Sequence, residues 1–322
     1  MKQLQIVAPE QAEWQDVDVP TPGTGEVLLK IHAITTCPHW DLHLMSGESM
    51  FPGGRLTYPI TPGQPGHELV ADVVELGPGV KDLYVGARVA DWQDRGGDVI
   101  LGGYAQFVPF AAKSLIEVSN DLEPEAIASL ELAMCLQVTF DRLLDRGGLE
   151  GKSVAIGGLG PAGILGVQLA RAWGAGRVVA VDPVAERRQL ALDVGADAAV
   201  EPTEADFVSS EEGPVDISVD CAGAAASVEF LMDHTKDAVA LFGVLRDDAA
   251  YGWRHWCGHL DIIGYGRHNI EAAQRALALI EDGRLDLRPI VTHTLPLSRY
   301  AEGVELLRSR EALKVCYLPW EE

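Results

Sequence analysis

Residues 153–174 read SVAIGGLGPAGILGVQLARAWG, and this stretch decides the fold of the coenzyme-binding half of the chain. A short apolar strand segment leads into Gly158, Gly160 and Gly163, and a segment with helical spacing of apolar residues follows. Strand, glycine turn and helix in this order form a dinucleotide-binding fingerprint, because the glycines let a diphosphate approach the backbone. Pro161 and Ala162 begin the helix, whose N-terminus attracts phosphate. We therefore expect a Rossmann-type domain.

An acidic residue at the end of the next strand indicates which coenzyme binds. The segment RVVAVD ends in Asp182, nineteen residues after Gly163. A carboxylate at this place can accept hydrogen bonds from both ribose hydroxyls and repels a 2′-phosphate. The sequence therefore favours NAD(H) over NADP(H), although Arg187, in the following helix, could still reach a 2′-phosphate.

The patterns on either side predict an α/β protein of two domains. Between residues 153 and 268 short apolar strands alternate with helical segments, which is typical of a doubly wound parallel sheet. Residues 17–110 instead alternate apolar and polar positions between turn signals, which predicts antiparallel β structure. A helical segment from Glu123 links the regions, and the C-terminal tail is expected to return to the first domain. We predict domains at 1–136 with 269–322 and at 137–268.

Composition excludes several classes of function. The chain of 322 residues has 48 acidic and 25 basic residues and a formal charge of −23, which repels nucleic acids and anionic membranes. It has no apolar run of membrane-spanning length. The five cysteines are scattered, without a CxxC pair, which fits a reducing cytoplasm. We expect a cytoplasmic protein that acts on a small molecule.

Further short motifs occur in a fixed order along the chain. They are Cys37 with Asp41-Leu42-His43, Gly66-His67-Glu68, Gly86-Ala87-Arg88-Val89, Gly102-Gly103-Tyr104-Ala105, the glycine pattern, Asp220-Cys221-Ala222-Gly223 and Glu311-Ala312-Leu313-Lys314-Val315. With these motifs the chain resembles the medium-chain dehydrogenase/reductase superfamily, in its zinc alcohol and polyol dehydrogenase group, over essentially its whole length. The resemblance implies a GroES-like catalytic domain beside the coenzyme domain.

The resemblance also implies one catalytic zinc ion per chain, held by Cys37, His67 and Cys135. Two thiolates and an imidazole leave the fourth tetrahedral position open for a substrate oxygen. By the same resemblance Glu68 would support the ligands from outside the coordination sphere or bind the metal transiently. Glu131, one helical turn before Cys135, is the alternative, because a glutamate from this region is the ligand in the polyol branch. The four closely spaced cysteines of a structural zinc lobe are missing, so no second zinc is expected.

The first motif departs from the family pattern Cys-x-x-Asp-x-His by one residue between Cys37 and Asp41. If Asp41 and His43 keep their register, Pro38 takes the ligand position, and Cys37 reaches the metal only through a bulge. His39 is then a substitute ligand.

The remaining site residues follow from the same resemblance. Asp41 would accept a hydrogen bond from the His67 ring, and Lys314 would lie near that carboxylate or the coenzyme phosphates. His43 would end a proton relay, but the hydroxyl that normally precedes the aspartate is Trp40 here. Trp40 and Trp92 would line the substrate pocket.

We therefore expect a zinc-dependent alcohol or polyol dehydrogenase that moves a hydride between NAD(H) and an alcohol or carbonyl. The alternatives are a zinc-free quinone or enoyl reductase of the same superfamily and a non-catalytic NAD(H)-binding protein. A homodimer or homotetramer is expected from the resemblance.

Overall fold

The computed structural model describes residues 1–93, 102–203 and 214–321, which form two compact units. The first comprises residues 1–132 and 291–322, and the second residues 133–290. The second unit extends past residue 268, where the sequence analysis places the boundary. The physical reason is that the helix at Ile270–Glu281 is tied into this unit, since Arg275 forms an ion pair with Asp141.

The described strands are β1 (Lys2–Ala8), β2 (Gln11–Asp16), β3 (Glu26–Thr35), β4 (Leu69–Leu76), β5 (Arg88–Asp91), β6 (Phe107–Ala111), β7 (Leu115–Glu117), β8 (Ser153–Gly157), β9 (Arg177–Val181), β10 (Ala198–Val200), β11 (Val215–Asp220), β12 (Thr235–Leu241), β13 (Asp261–Ile263), β14 (Val291–Pro296) and β15 (Lys314–Leu318). The described α-helices are α1 (Pro38–Ser46), α2 (Pro124–Ile127), α3 (Leu130–Leu144), α4 (Pro161–Ala172), α5 (Ala185–Asp193), α6 (Ala225–Asp233), α7 (Trp253–Cys257), α8 (Ile270–Glu281) and α9 (Tyr300–Arg308).

The first unit is built on a sheet with the strand order β14-β15-β3-β4-β5-β7, and β6 also pairs with β3. Every pair in it except β14 with β15 is antiparallel, as the alternating pattern predicts. Its core joins apolar residues of the N-terminal strands to those of the C-terminal tail, among them Leu29, Leu69 and Val315. The tail from residue 291 therefore returns to this unit, as expected.

Helix α1 interrupts the β-rich region and was not predicted. Pro38 begins it, and Gly47, in a left-handed conformation with φ of 84°, ends it. Proline at the start and glycine just past the end are the usual boundary signals of a helix. The surrounding strand pattern hid this nine-residue helix in the sequence.

The second unit contains a parallel sheet with the strand order β10-β9-β8-β11-β12-β13. Its strands and the helix α4 confirm the doubly wound pattern predicted for residues 153–268. Buried side chains such as Val179, Leu231 and Val239 form its core. Within the described residues no helix has the length and apolar character needed to cross a membrane.

Candidate active site

Three potential metal ligands meet in the first unit. Cys37 is the residue immediately before α1, and His67 and Glu68 immediately precede β4. The Cys37 sulfur, a ring nitrogen of His67 and a carboxylate oxygen of Glu68 all lie within 4.8 Å of one another. Thiolate, imidazole and carboxylate are the groups that bind Zn²⁺ in proteins, so this set fits the metal that the resemblance implies.

The backbone around these residues explains how the strands bring them together. The Thr35 N–H, at the end of β3, donates to the Glu68 carbonyl at 2.8 Å. Gly66 has φ of 24°, and a side-chain carbon on it would lie 2.4 Å from the Tyr104 nitrogen. Only glycine allows this close approach, so the glycine before His67 lets the 102–104 segment pack against the ligand segment.

The extra residue in the Cys37 motif is accommodated by helix α1, not by a bulge. The Asp41 N–H donates to the Cys37 carbonyl at 2.9 Å, which is a regular first turn. A helix advances about 100° per residue, so the insertion changes which side chain faces His67. The ring of Trp40 lies edge-on to His67, with 6.4 Å between centroids.

Asp41 is buried and is hydrogen-bonded to two tyrosines that the sequence analysis did not name, and its predicted bond to His67 stays a prediction. Its Oδ1 accepts hydrogen bonds from the hydroxyls of Tyr104 and Tyr300, each at 2.8 Å. Its Oδ2 is buried and has no hydrogen-bond partner among the residues that the structure describes. Burial raises the pKa of Asp41 to about 7, against the lowering effect of the two tyrosines.

Lys314 pairs with Glu68, and its charge also acts on Asp41, which agrees with the first of its two predicted places and not with the coenzyme phosphates. Its ammonium is fully buried and lies 2.5 Å from Glu68 Oε2. The Thr35 hydroxyl also donates to that oxygen, at 3.1 Å. An ammonium buried in this pair is not accessible to a phosphate. The two bonds hold the Glu68 carboxylate in a defined orientation.

Three buried carboxyl groups act on one another close to the ligands in the described part of the chain. Glu68, Asp91 and Glu131 are all less than 10% exposed, and the buried ammonium of Lys314 pairs with Glu68. Burial, and then the charges of Glu131 and Glu68, raises the pKa of Asp91 well above its usual range. Unpaired buried charge is costly. A divalent cation would lower the cost of ionising these buried carboxyl groups, so their burial also fits a metal.

Cys37 carries a proton in the metal-free protein. Burial, and then the negative charge of Glu68, raises the pKa of its thiol far above the ordinary value. Only the thiolate is a metal ligand, so metal binding at Cys37 must release a proton.

Cys135 belongs to the second unit, where its partner is a histidine that the sequence analysis did not name. Its sulfur lies 3.4 Å from Nε2 of His268. Glu131, one turn earlier on α3, is buried. The metal role of Cys135 stays a prediction. His268 follows β13 by several residues, and no motif marks it in the sequence.

Aromatic side chains surround the start of α1. Trp40 makes an edge contact with Phe51, with 6.0 Å between centroids, and the rings of His39 and His43 stack at 5.7 Å. Trp92 is 9% exposed, and its indole N–H has no hydrogen-bond partner in the described part of the chain. The relay role of His43 and the pocket role of Trp92 stay predictions.

The glycine turn of the second unit has the geometry of a dinucleotide site. A side-chain carbon on Gly163 would lie 2.0 Å from the Gly158 carbonyl oxygen, so this glycine packs helix against strand. The same carbon on Gly160 would meet nothing within 4 Å, which leaves open space over the turn. Gly160 precedes α4 and offers no side-chain cap, so N–H groups of the first helical turn remain available to a phosphate.

Asp182 supports this turn from the end of β9. Its Oδ2 accepts from the Leu159 N–H at 2.7 Å, and its Oδ1 accepts from the Val184 N–H at 2.8 Å. A carboxylate has about four acceptor positions, so both oxygens can still accept from ribose hydroxyls. Arg187 Nη1 lies 4.0 Å from Asp182 Oδ2.

A parallel-sheet unit with this turn, in one chain with a β-rich unit bearing Cys37, His67 and Glu68, defines the class of nicotinamide-dependent dehydrogenases. Family models agree with that class. Residues 23–120 match the alcohol dehydrogenase GroES-like domain, and residues 161–282 match the zinc-binding dehydrogenase domain.

Individual proteins are similar over the full length. The L-threonine 3-dehydrogenase of Thermococcus kodakarensis is 31% identical, covering 96% of this chain and 95% of its own. That of Pyrococcus horikoshii is 32% identical and covers 95% of both. A zinc-binding dehydrogenase from Sinorhizobium meliloti, solved with NADP, is 27% identical with a TM-score of 0.83 and covers 99% of each chain.

The chain therefore belongs to the zinc-type alcohol dehydrogenase family of the medium-chain dehydrogenase/reductase superfamily. It is an NAD(P)-dependent oxidoreductase of the alcohol dehydrogenase type, which confirms the predicted fold class and reaction class.

Proposed function

We propose that this chain is a zinc-dependent dehydrogenase that exchanges a hydride between NAD(H) and a small secondary alcohol or its ketone. The observation that carries the proposal is the meeting of Cys37, His67 and Glu68 within 4.8 Å. Support for a secondary alcohol comes from the similar L-threonine 3-dehydrogenases, whose substrate carries a secondary hydroxyl.

The proposed zinc ligands are Cys37, His67 and Glu68, whose ligand atoms lie together, while Cys135 and Glu131 stay predictions from the resemblance. Bound zinc would act as a Lewis acid on the substrate oxygen while the nicotinamide ring carries the hydride. The chain's own residues do the rest. Lys314 and Thr35 orient Glu68, and Trp40 places an aromatic surface beside His67 that keeps water from the ligand ring.

We propose NAD(H) as the coenzyme in preference to NADP(H). Asp182 is only 4% exposed, and both of its oxygens are fixed by backbone N–H groups. It therefore keeps its place when a coenzyme binds, and its charge opposes a 2′-phosphate.

Metal analysis and coenzyme titration test the proposal. We expect about one zinc per chain by plasma mass spectrometry, lost in Cys37→Ser and His67→Ala, and tighter binding of NADH than of NADPH by fluorescence. Glu131→Gln is compared with Cys135→Ser, one turn apart on the same helix. Loss of zinc in one of these two variants would identify that residue as a further ligand. A wild-type chain without zinc after growth with added metal would contradict it and direct the substrate screen to quinones and enones.

We also propose that the chain forms a homodimer through the second unit. Strand β13 is last in the order of the described strands, and Ile262 on it is 40% exposed. Trp253 and Trp256, just before it, are 72% and 63% exposed. Exposed aromatic rings beside a strand edge are typical of a subunit contact, and two such edges can pair.

Light scattering after size-exclusion chromatography tests the dimer. We expect a mass twice the 34.6 kDa of one chain, and a monomer for Trp253→Ser with Trp256→Ser. Trp320→Ser, at an exposed tryptophan of the first unit, is the control and should leave the mass unchanged. A monomeric wild type would refute the dimer, and a tetramer would call for a second interface.

A further inference from the structure

Asp91 is a buried acid beside the candidate metal ligands that no motif assigns. It is the last residue of β5 and is completely buried. Its Oδ1 accepts a hydrogen bond from the Leu69 N–H at 2.8 Å. Leu69 begins β4 and directly follows His67 and Glu68. The side chain of Asp91 therefore holds the backbone at the point where the ligand segment enters the sheet.

The second oxygen of Asp91 makes no bond of this kind. Oδ2 is buried and has no hydrogen-bond partner within the described ranges. The carboxylates of Glu68 and Glu131 are close enough to act on it electrostatically. A fold that needed only the bond to Leu69 could use a neutral acceptor here. Asp91 instead places an ionisable carboxyl group in this buried region, where a nearby divalent cation would favour its charged form.

We propose that Asp91 is a positioning residue for the metal: its Oδ1 fixes the start of β4 behind His67 and Glu68, and its charge strengthens the binding of a divalent cation. The inference rests on the proposed function. It separates two contributions, a hydrogen bond that orients the ligand segment and a buried charge that a cation relieves. The first stabilises the protein with or without metal. The second is costly while no cation is bound, so it favours the metal-bound protein.

Two substitutions distinguish these contributions. Asp91→Asn keeps an oxygen that can accept from Leu69 and removes the charge. Asp91→Leu removes both. Asp72→Asn is the matched control, since Asp72 lies on β4 in the same sheet but pairs with Arg88 and His32 and is partly exposed. For each variant the zinc dissociation constant is measured by competition with a chromophoric chelator, and the melting temperature of the metal-free chain is recorded.

We expect Asp91→Asn to weaken zinc binding by about tenfold or more while the metal-free protein melts at the wild-type temperature or above it. The Co²⁺ absorption bands should keep their positions, because the ligands are unchanged. Asp91→Leu should lose zinc affinity and melt earlier, and the control should bind zinc like the wild type.

Two results would overturn the inference alone. One is zinc binding by Asp91→Asn within twofold of the wild type. The other is a lower melting temperature of metal-free Asp91→Asn, because this would assign Asp91 a purely structural role. A wild-type chain that binds no zinc would overturn the proposed function and this inference with it, so the two failures are distinguishable.

Discussion

Replacing Gly160 with alanine should weaken coenzyme binding without destabilising the protein. Gly160 has φ of −70° and ψ of −170°, an extended conformation that alanine adopts freely. Its new methyl group would meet no atom within 4 Å in the free protein. Alanine is a poorer helix cap than glycine, but it lowers the entropy of the unfolded chain by a comparable amount of about 0.4–1 kcal/mol. The two effects nearly cancel, so the melting temperature should stay close to that of the wild type.

The same methyl group should hinder the binding of the coenzyme. In this fold the second glycine of the turn lets the diphosphate approach the backbone, and the space over Gly160 is open for it. One additional methyl in a tight contact costs about 1–3 kcal/mol, which corresponds to roughly a 5- to 150-fold increase in Kd. We expect an increase in this range for NADH.

Gly163→Ala is the matched variant and should behave in the opposite way. Its methyl carbon would lie 2.0 Å from the Gly158 carbonyl oxygen, so the helix must move away from the strand. Overpacking of this kind costs about 1–3 kcal/mol of folding free energy, and more against rigid backbone. The assays are thermal denaturation and NADH fluorescence titration on all three chains. Wild-type NADH affinity in Gly160→Ala would refute the placement of the diphosphate over this turn.

Three further predictions concern buried acids. Asp182→Ala should weaken the binding of NADH more than that of NADPH in fluorescence titrations, because the carboxylate that opposes a 2′-phosphate is gone. An unchanged ratio of the two dissociation constants would contradict this. Lys314→Met should lower the unfolding free energy by about 3–5 kcal/mol, because Glu68 is then buried without its cation. The double variant with Glu68→Gln should regain part of this unfolding free energy in urea denaturation. No recovery would argue against a stabilising Lys314–Glu68 ion pair. The folded-state pKa of Asp41, about 7, lies above its ordinary value of 3.8, so the stability it contributes is fully present below about pH 3.8 and is lost as the pH rises through 7. Denaturation of the metal-free protein across this range should show that loss, and Asp41→Asn should flatten it; equal slopes in both proteins would assign the dependence to other groups.

The sequence predicts the fold well where one period dominates. Strands β8, β9, β11, β12 and β13 and the helix α4 follow directly from apolar spacing and the glycine turn, whereas the three-residue strand β10 was not predicted. Helix α1 was missed because nine residues between strands carry too little apolar periodicity, although Pro38 and Gly47 mark its ends. The linking helix predicted from Glu123 is interrupted, since α2 ends at Ile127 and α3 begins at Leu130.

The site was predicted less completely, because its decisive contacts join residues far apart in sequence. Cys37, His67 and Glu68 were named from motifs. The partners of Asp41, by contrast, are Tyr104 and Tyr300, and neither spacing nor charge points to them. Asp91 did leave a signal. It shares a strand face with Val89, which is buried, so an acid at a core position was readable from the alternation of β5.

The single inserted residue in the Cys37 motif explains why the charge arrangement differs from the pattern expected of the family. Trp40 lies edge-on to the His67 ring. The carboxylate of Asp41 is buried and accepts hydrogen bonds from two tyrosine hydroxyls. The acidic groups that act on the ligand segment are then Glu68, oriented by Lys314, and Asp91, bonded to the backbone one residue beyond it. Support for the ligands therefore comes from the strand side, so substitutions at Asp91 should affect zinc affinity more than substitutions at Asp41.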